Sequence, residues 1–501
     1  STRTASQIVQ EHFNPGEFGG PSGPLFGVQF SQLLCSDVVQ PPEPLFEILS
    51  LDVTPNLPAE WFRAGPKPSP LGLSADPGGF PLYRGGTPVG GVGVVADGTY
   101  GIDLNVSDRD RDLDELIATA ATFGFGAPLD RRGDRITADG KTLRYSDVDY
   151  ADLGRNPEQA PTFASLPANA GMLIAAFGFA APEIVAGLPF GTPLSGVRPD
   201  HEDYPGLDAF VLASFGDYTR YRPKAGSEPG GLTAMESREL VRAALAVANR
   251  ARAQIRRPTG SQARVTVSVV DTTGDILALA RTRDAPMFGT DVAVQKARSA
   301  AFFSGDYAAD ELAALPDAVY LNADGSPSAT QIDFGTIVDQ TVEFFAQPGL
   351  FASGSGLRAG PYAFTPRALG NFARPFFPDG IRGTANGPFS KPLDHWSPFA
   401  DGLQLDLAYN QIAASVVAYL GNDGQALLRQ GTRGCTGNTR LANGIQIFPG
   451  GVPIYRGNDL VGAIGVSGDG VDQDDMIAAL GLKNAAATLN TGIGHAPAHM
   501  R

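Results

Sequence analysis

The chain has 501 residues, 43% of them hydrophobic and 18% charged, with 62 glycines and 40 prolines. This composition is that of a folded, turn-rich protein of two to four domains, not of a disordered chain or a helical bundle. The net charge of −15 argues against nucleic acid and anionic membrane surfaces as partners, because both are held by clustered Lys and Arg.

The first 24 residues contain Arg3, Phe13, Gly23 and Pro24, which recur 364 positions later as Arg367, Phe377, Gly387 and Pro388. At 77–98 stands PGGFPLYRGGTPVGGVGVVADG, which predicts a glycine-rich β-hairpin. It returns at 449–470 as PGGVPIYRGNDLVGAIGVSGDG, with 13 of 22 positions identical and no gap at an offset of 372. After an insertion at 99–110, Asp112, Asp114 and Glu115 open a helical pattern, as carboxylates at a helix N-terminus should. The stretch 135–147 predicts a small hairpin turning at Asp139-Gly140. Residues 151–230 read as an Ala-, Pro- and Gly-rich linker with some packed structure. Its longest apolar run, 170–181, falls short of the ~20 residues that span a bilayer.

The second half is more regular. Thr233 and Glu236 have capping-box spacing. Leu240, Val241, Ala244, Leu245, Ala248, Ala251 and Ile255 then share one helical face, which Pro258 closes. Residues 263–282 predict a strand, a turn at Thr272–Gly274 and a strand, with Val265, Val267 and Val269 on one buried face. A second helix follows over 288–304, with Thr290 as its N-cap and Lys296 placed to pair with Asp271. The region 305–443 is rich in Gly and Pro and shows one helical pattern, at 405–420. Then come the repeated hairpin and a helix opened by Asp472, Asp474 and Asp475.

The two repeated anchors run in the same order, which indicates one co-linear duplication. The expected organisation is a partial first repeat at 1–150, a linker at 151–230, a second repeat at 231–490 with an insertion at 305–443, and a tail at 491–501. The 134 residues from Gly231 to Phe364 have no counterpart ahead of Ser1. The first repeat is therefore expected not to stand alone, because half a domain leaves a sheet edge and an apolar face uncovered. An N-terminal fragment of the same precursor, another chain in a homo-oligomer, or the 231–304 elements would complete it. Cys35 and Cys435 do not occupy equivalent repeat positions, so a disulfide between them is not favoured, although it would contribute roughly 4–5 kcal/mol in the chain-entropy model.

The segments VTVSVVDTTGDILALART, DAPMFGTDVAVQKARSAAFFS and FPGGVPIYRGNDLVGAIGVSGDGVDQDDMIA resemble the GlcG/HbpS family of haem-binding-like proteins, which includes the C-terminal domain of the PduO adenosyltransferases. The resemblance covers 231–304 and 444–485, and more weakly the first copy. It implies an α/β fold with antiparallel sheets flanked by helices, a tendency to oligomerise and, in some members, non-covalent haem. On the residues, Gly450 and Gly451 permit unusual backbone at the strand start. Gly465 and Gly468 allow a helix or a flat ligand to approach the strand. Of five histidines, none lies on the matching elements. His12 sits in the repeated anchor, opposite Phe376, and His395 adjoins Trp396. No C-x-x-C-H occurs, so haem would be non-covalent and at most one per chain. The acidic stretch from Asp103 places Asp103, Asn105, Ser107 and Asp114 at positions 1, 3, 5 and 12 of a calcium loop, although position 6 is Asp108 rather than Gly. A solvated insertion before a helix is the alternative. The functional expectation is a non-enzymatic cofactor-binding or assembly protein. The alternatives are a haem- or corrinoid-dependent enzyme or redox sensor, and a purely structural oligomer-forming protein.

Overall fold

In a computed structural model, the protein is described at residues 1–8, 36, 38, 74–96, 103, 105, 108–138, 141–171, 190–213, 218–254, 256, 258–322, 324–347, 357, 362–378, 381, 383–392, 402–420 and 434–501. The first repeat comprises α1 (Thr2–Ile8), the hairpin β1 (Gly79–Arg84) and β2 (Thr87–Gly93), α2 (Leu113–Ala121), and a short hairpin β3 (Thr137–Ala138) and β4 (Lys141–Thr142). The Asp112 side chain accepts from the Glu115 backbone N–H, which caps α2 where the acidic pattern begins.

Part of the region read as a linker is sheet: β5 (Val197–Pro199) and β6 (Phe210–Leu212) pair with each other, and β6 joins the second repeat. That repeat begins with α3 (Ala234–Arg250), held by the expected reciprocal cap between Thr233 and Glu236. β7 (Thr266–Val270), β8 (Ile276–Arg281) and α4 (Gly289–Phe303) follow. Phe288, not Thr290, stands at the start of α4. The Gly289 and Thr290 amides donate to Pro286 and Met287, so a preceding turn feeds the helix and leaves no N-cap role for Thr290.

The stretch 305–443 holds more structure than one helix. It contains α5 (Ala308–Ala313), the hairpin β9 (Ala318–Leu321) and β10 (Pro327–Ile332), α6 (Phe334–Phe345), α7 (Pro366–Phe372) and α8 (Leu403–Leu420). Asp333 caps α6 through the Gly335 and Thr336 amides. Together with the end of α4 these elements enclose an aromatic core that includes Phe302, Phe303, Phe345, Phe364, Phe372 and Phe389. The chain closes with β11 (Gly451–Arg456), β12 (Asp459–Ser467), α9 (Val471–Leu489) and β13 (Ile493–Gly494).

The main sheet is antiparallel, in the order β13-β11-β12-β7-β8-β6-β5. One face packs on α3 and α9 through Leu240, Val241, Ala244, Ile464, Ile477 and Leu482. The other packs on α4 through Val270, Leu279, Val294, Ala297 and Ala301. This is an α/β fold, an antiparallel sheet flanked by helices.

The duplicated hairpins share one geometry. Gly79 pairs with Gly93 and Gly451 with Gly465, and the register shifts after Leu82 in one copy and after Ile454 in the other. Each position is offset by the same 372 residues. The anchors match as well: Arg3 holds Glu115 at 2.9 and 3.1 Å, and Arg367 holds Asp475 at 2.7 Å. In both copies an arginine before the hairpin thus ties down the helix after it.

One expectation fails. Cys435 is disulfide-bonded, and Cys35 is the only other cysteine of the chain. The described neighbours of Cys35 in the sequence are seated in the second repeat. Val38 is buried among Phe210, Leu279 and Val294, and its carbonyl accepts from the Tyr221 hydroxyl at 2.9 Å. Ser36 hydrogen-bonds Asp291 on α4. Intact mass after alkylation without reductant should therefore show no added alkyl group; two added groups would show two free thiols.

Candidate functional site

Helix α4 is buried along its whole length, although it carries Asp291, Gln295, Lys296, Arg298 and Ser299. Every one of these needs a partner, because an unpaired charge or amide in the interior costs several kcal/mol. The segment 443–446 supplies most of them. Gln295 Nε2 donates to the Asn443 carbonyl at 2.5 Å, and Arg298 donates to Asn443 Oδ1 at 2.7 Å and to the Gly274 carbonyl at 2.9 Å. The Gln446 amide donates to Ser299 Oγ at 2.8 Å. Asp291, Gln295, Arg298 and Ser299 recur at helical spacing, so they form one polar stripe.

Lys296 points the other way, through the sheet end toward α9. Its ammonium donates to Asp474 Oδ2 at 2.8 Å and to the Val466 carbonyl at 3.0 Å. The Gly468 amide also donates to Asp474 Oδ2, at 3.2 Å. Burial pushes the Asp474 carboxyl up to about 6, against the pull of the Lys296 charge. The expected Asp271–Lys296 pair does not form. Asp271 instead organises the turn at 271–275, accepting from the Thr273 and Asp275 amides at 2.9 and 3.0 Å.

The glycines lie beside this pair and report what packs on the strand. A methyl group on Gly465 would overlap the Ala293 carbonyl oxygen of α4, and one on Gly451 the Lys296 carbonyl oxygen. Gly450, at φ +123°, would place a methyl group 2.8 Å from Asp474 Cβ and 2.9 Å from Lys296 Nζ. On Gly468 it would overlap the Arg264 carbonyl oxygen of the neighbouring strand segment. The close approach read from these glycines is made by a helix and by backbone, so no flat ligand lies on the strand.

The calcium set is not assembled. Asp103 accepts from Arg3 at 2.9 Å and from Arg144 at 3.3 Å, so two guanidinium groups already neutralise it. Asp114 turns inward to cap the Ala96 amide. Asn105 hydrogen-bonds Asp108 at 2.9 Å, and Ser107 lies outside the described residues. Asp103, Asp108 and Asp110 do cluster, but Arg3 is bound to Asp103 and to Asp110.

His12 and His395 also lie outside the described residues. His201 and His499 are exposed, and His495 hydrogen-bonds the Ala479 carbonyl at 3.1 Å, with burial lowering its pKa. A cavity of about 220 Å³ opens at the outer end of Arg298, lined also by Arg220, Tyr221, Arg222, Lys224 and Asp275. Lys224 pairs with Asp275 at its rim, at 2.6 Å.

Residues 241–332 and 413–483 match the family described as haem degrading protein HbpS-like. The two stretches enclose α4, the hairpin β11–β12 and most of α9. Over these stretches the chain is HbpS-like. Two solved structures are similar to it: Klebsiella pneumoniae protein ORFY, of the DUF336 family, at 17% identity over 52% of this chain and 95% of that one, with a TM-score of 0.24; and a PduOC–heme complex at 18% identity over 53% and 99%, with a TM-score of 0.21. No curated protein matches the chain. The HbpS-like match leaves 333–412 unmatched, where α6, α7 and the start of α8 lie.

Composition and periodicity did not find the Lys296–Asp474 pair. A signal was available: Lys296 is one of six lysines in the chain and sits in the middle of a helix rich in Ala, Val and Phe, VAVQKARSAAFF. Replacing it should leave a buried carboxylate without its counter-charge. We expect Lys296→Met to cost about 3–5 kcal/mol at pH 8. The loss should be smaller at pH 5, because the Asp474 carboxyl, already raised above its unfolded value of 3.8, is then protonated in the folded state. Urea unfolding at the two pH values measures both, and equal losses would contradict the assignment. At Gly465, alanine should destabilise the HbpS-like domain by about 1–3 kcal/mol through overpacking, measured as a lower urea midpoint.

Proposed function

We propose that this protein is a binding and assembly protein of the HbpS type, with haem as its cofactor class. The observation that carries the proposal is the HbpS-like match across 241–332 and 413–483, whose family description names haem. The structure constrains where such a group would sit. The glycine strand is closed by α4, so the cleft beside it offers no room. The cavity at Arg298 is smaller than the ~300–1,000 Å³ of ordinary small-molecule sites. It suits the charged edge of a ligand rather than a whole macrocycle. Its cations are Arg220, Arg222, Lys224 and Arg298; Arg298 is already held by Asn443 and Gly274 and Lys224 by Asp275, so a haem carboxylate would compete with those partners there.

The iron side is not matched. Among the described residues no histidine lines this cavity; Cys435 is in a disulfide and Met287 sulfur accepts from Arg281 at 2.8 Å. Tyr221 lines the cavity, but its hydroxyl donates to the Val38 carbonyl, so the described residues lining this cavity offer charge to the carboxylates without a ready axial ligand, and no step of chemistry is assigned to the group. A second reading, assembly without cofactor, is favoured by the exposed hairpin of the first repeat, where β2 is solvent-facing along nearly its whole length.

Titrating haemin into the full chain tests the two. A Soret band saturating at no more than one haem per chain is expected, with Arg220→Glu weakening binding at least tenfold. No band would leave the assembly reading in place of the haem one; a band indifferent to that change would place haem away from this cavity.

A further inference from the structure

The second repeat shows what the hairpin is built to carry. On β12, Gly465 faces the α4 backbone and Gly462 faces the Val270 carbonyl of β7. β7 pairs with β12 from Thr266–Ser467 to Val270–Ala463. On β2 the equivalent glycines, Gly93 and Gly90, are retained, yet among the described residues nothing lies within 4 Å of a methyl group built on either. Among the described residues β2 pairs with β1 alone. The helix after the hairpin repeats the contrast. Ile477 is 0% exposed beneath α3, whereas Ile117, at the matching position of α2, is 49% exposed, with Leu113 beside it at 56%.

The electrostatics complete the comparison. Asp114 corresponds to Asp474: each carboxylate accepts from the backbone amide at the end of its hairpin, Ala96 in one and Gly468 in the other. Gly78 corresponds to Gly450, at φ +118° against +123°, and each would place a methyl group 2.8 Å from its aspartate Cβ. The second copy adds Lys296 Nζ at 2.9 Å from that point; the first has no such neighbour there. Asp114 is buried, and among the described residues no cation pairs with it. The first repeat thus keeps a strand edge with two glycines, one matching a helix contact and one a strand contact, an apolar helix face and a carboxylate. All of these are matched in the second repeat by one unit, α3-β7-β8-α4.

We propose that the 79–93 hairpin and α2 form the docking face for a separate polypeptide that carries the helix–hairpin–helix half of an HbpS-like domain. The partner adds an antiparallel strand to β2, seats a helix backbone on Gly93, and brings a lysine ammonium to Asp114. Another copy of this chain is disfavoured as donor, because its own unit is already held by β12. The inference does not depend on haem.

The probe is a polypeptide of residues 231–304, titrated into the full chain. Native mass spectrometry should show a one-to-one complex, and hydrogen exchange of the 87–93 amides should slow at least tenfold. Gly93→Val, which meets open space in the chain alone, should abolish the complex and leave the urea midpoint unchanged. Asp114→Lys should weaken binding at least tenfold, and a probe with Lys296→Asp should recover it. The proposal is overturned by absence of a complex, by a complex that tolerates Gly93→Val, by protection in the chain alone of those 87–93 amides that do not face β1, or by a dimer of the full chain that Gly93→Val dissociates.

Discussion

A missing side chain at Gly465 sets the dimensions of this structure. Without a Cβ there, the α4 backbone reaches the sheet at the Ala293 carbonyl. At that separation the long side chains of α4 cannot lie flat between helix and strand. They leave along the edges, Lys296 toward Asp474 and the Asp291–Gln295–Ser299 stripe toward 443–446. Gly481 plays a related part between the two helices on the opposite face, where a methyl group on α9 would stand 2.7 Å from Ala244 Cβ of α3. The α4 face of the sheet is therefore packed at backbone distance, with small residues at the contact and polar groups at the margins.

Such packing makes the polar margins part of the fold. Arg298 and Asn443 satisfy each other inside the protein, and Asn443 also donates to the Asp291 carbonyl at 3.3 Å. A network of this kind adds specificity because any displaced member strands several others. It also joins the two regions of the HbpS-like match across the segment between them. The aromatic core of that segment packs against the end of α4 through Phe302 and Phe303, so the intervening residues extend the domain core.

The two repeats use one hairpin under different covers. In the second, a helix and a strand bury it. In the first, the insertion at 99–110 covers the arginine anchor instead: Asp103 and Asp110 join Glu115 and Asp147 around Arg3. Arg3 is 1% exposed in its side chain, whereas Arg367 is 49% exposed. A buried guanidinium of this kind needs several carboxylates, and the insertion supplies two of them. The first repeat has therefore reinforced its anchor while its glycine face stayed open.

Much of this was legible in the sequence, wherever the physics is local. The hairpin pair, the Thr233–Glu236 cap, the strand–turn–strand at 266–281 and the acidic helix start at Asp112 rest on neighbours within a few residues, and all stand where the pattern placed them. The duplication was legible because glycine is required at fixed points of one backbone geometry. Other features depended on the path of the chain in space. The partner of Lys296 is 178 residues away, and Ser36 and Val38 are seated on α4 and β8, a placement that repeat symmetry does not give. Whether a glycine strand receives a ligand or a helix has no sequence signature, because both demand the same absent side chain. Only the tertiary structure decides it, by placing the Ala293 carbonyl against Gly465 and open space against Gly93.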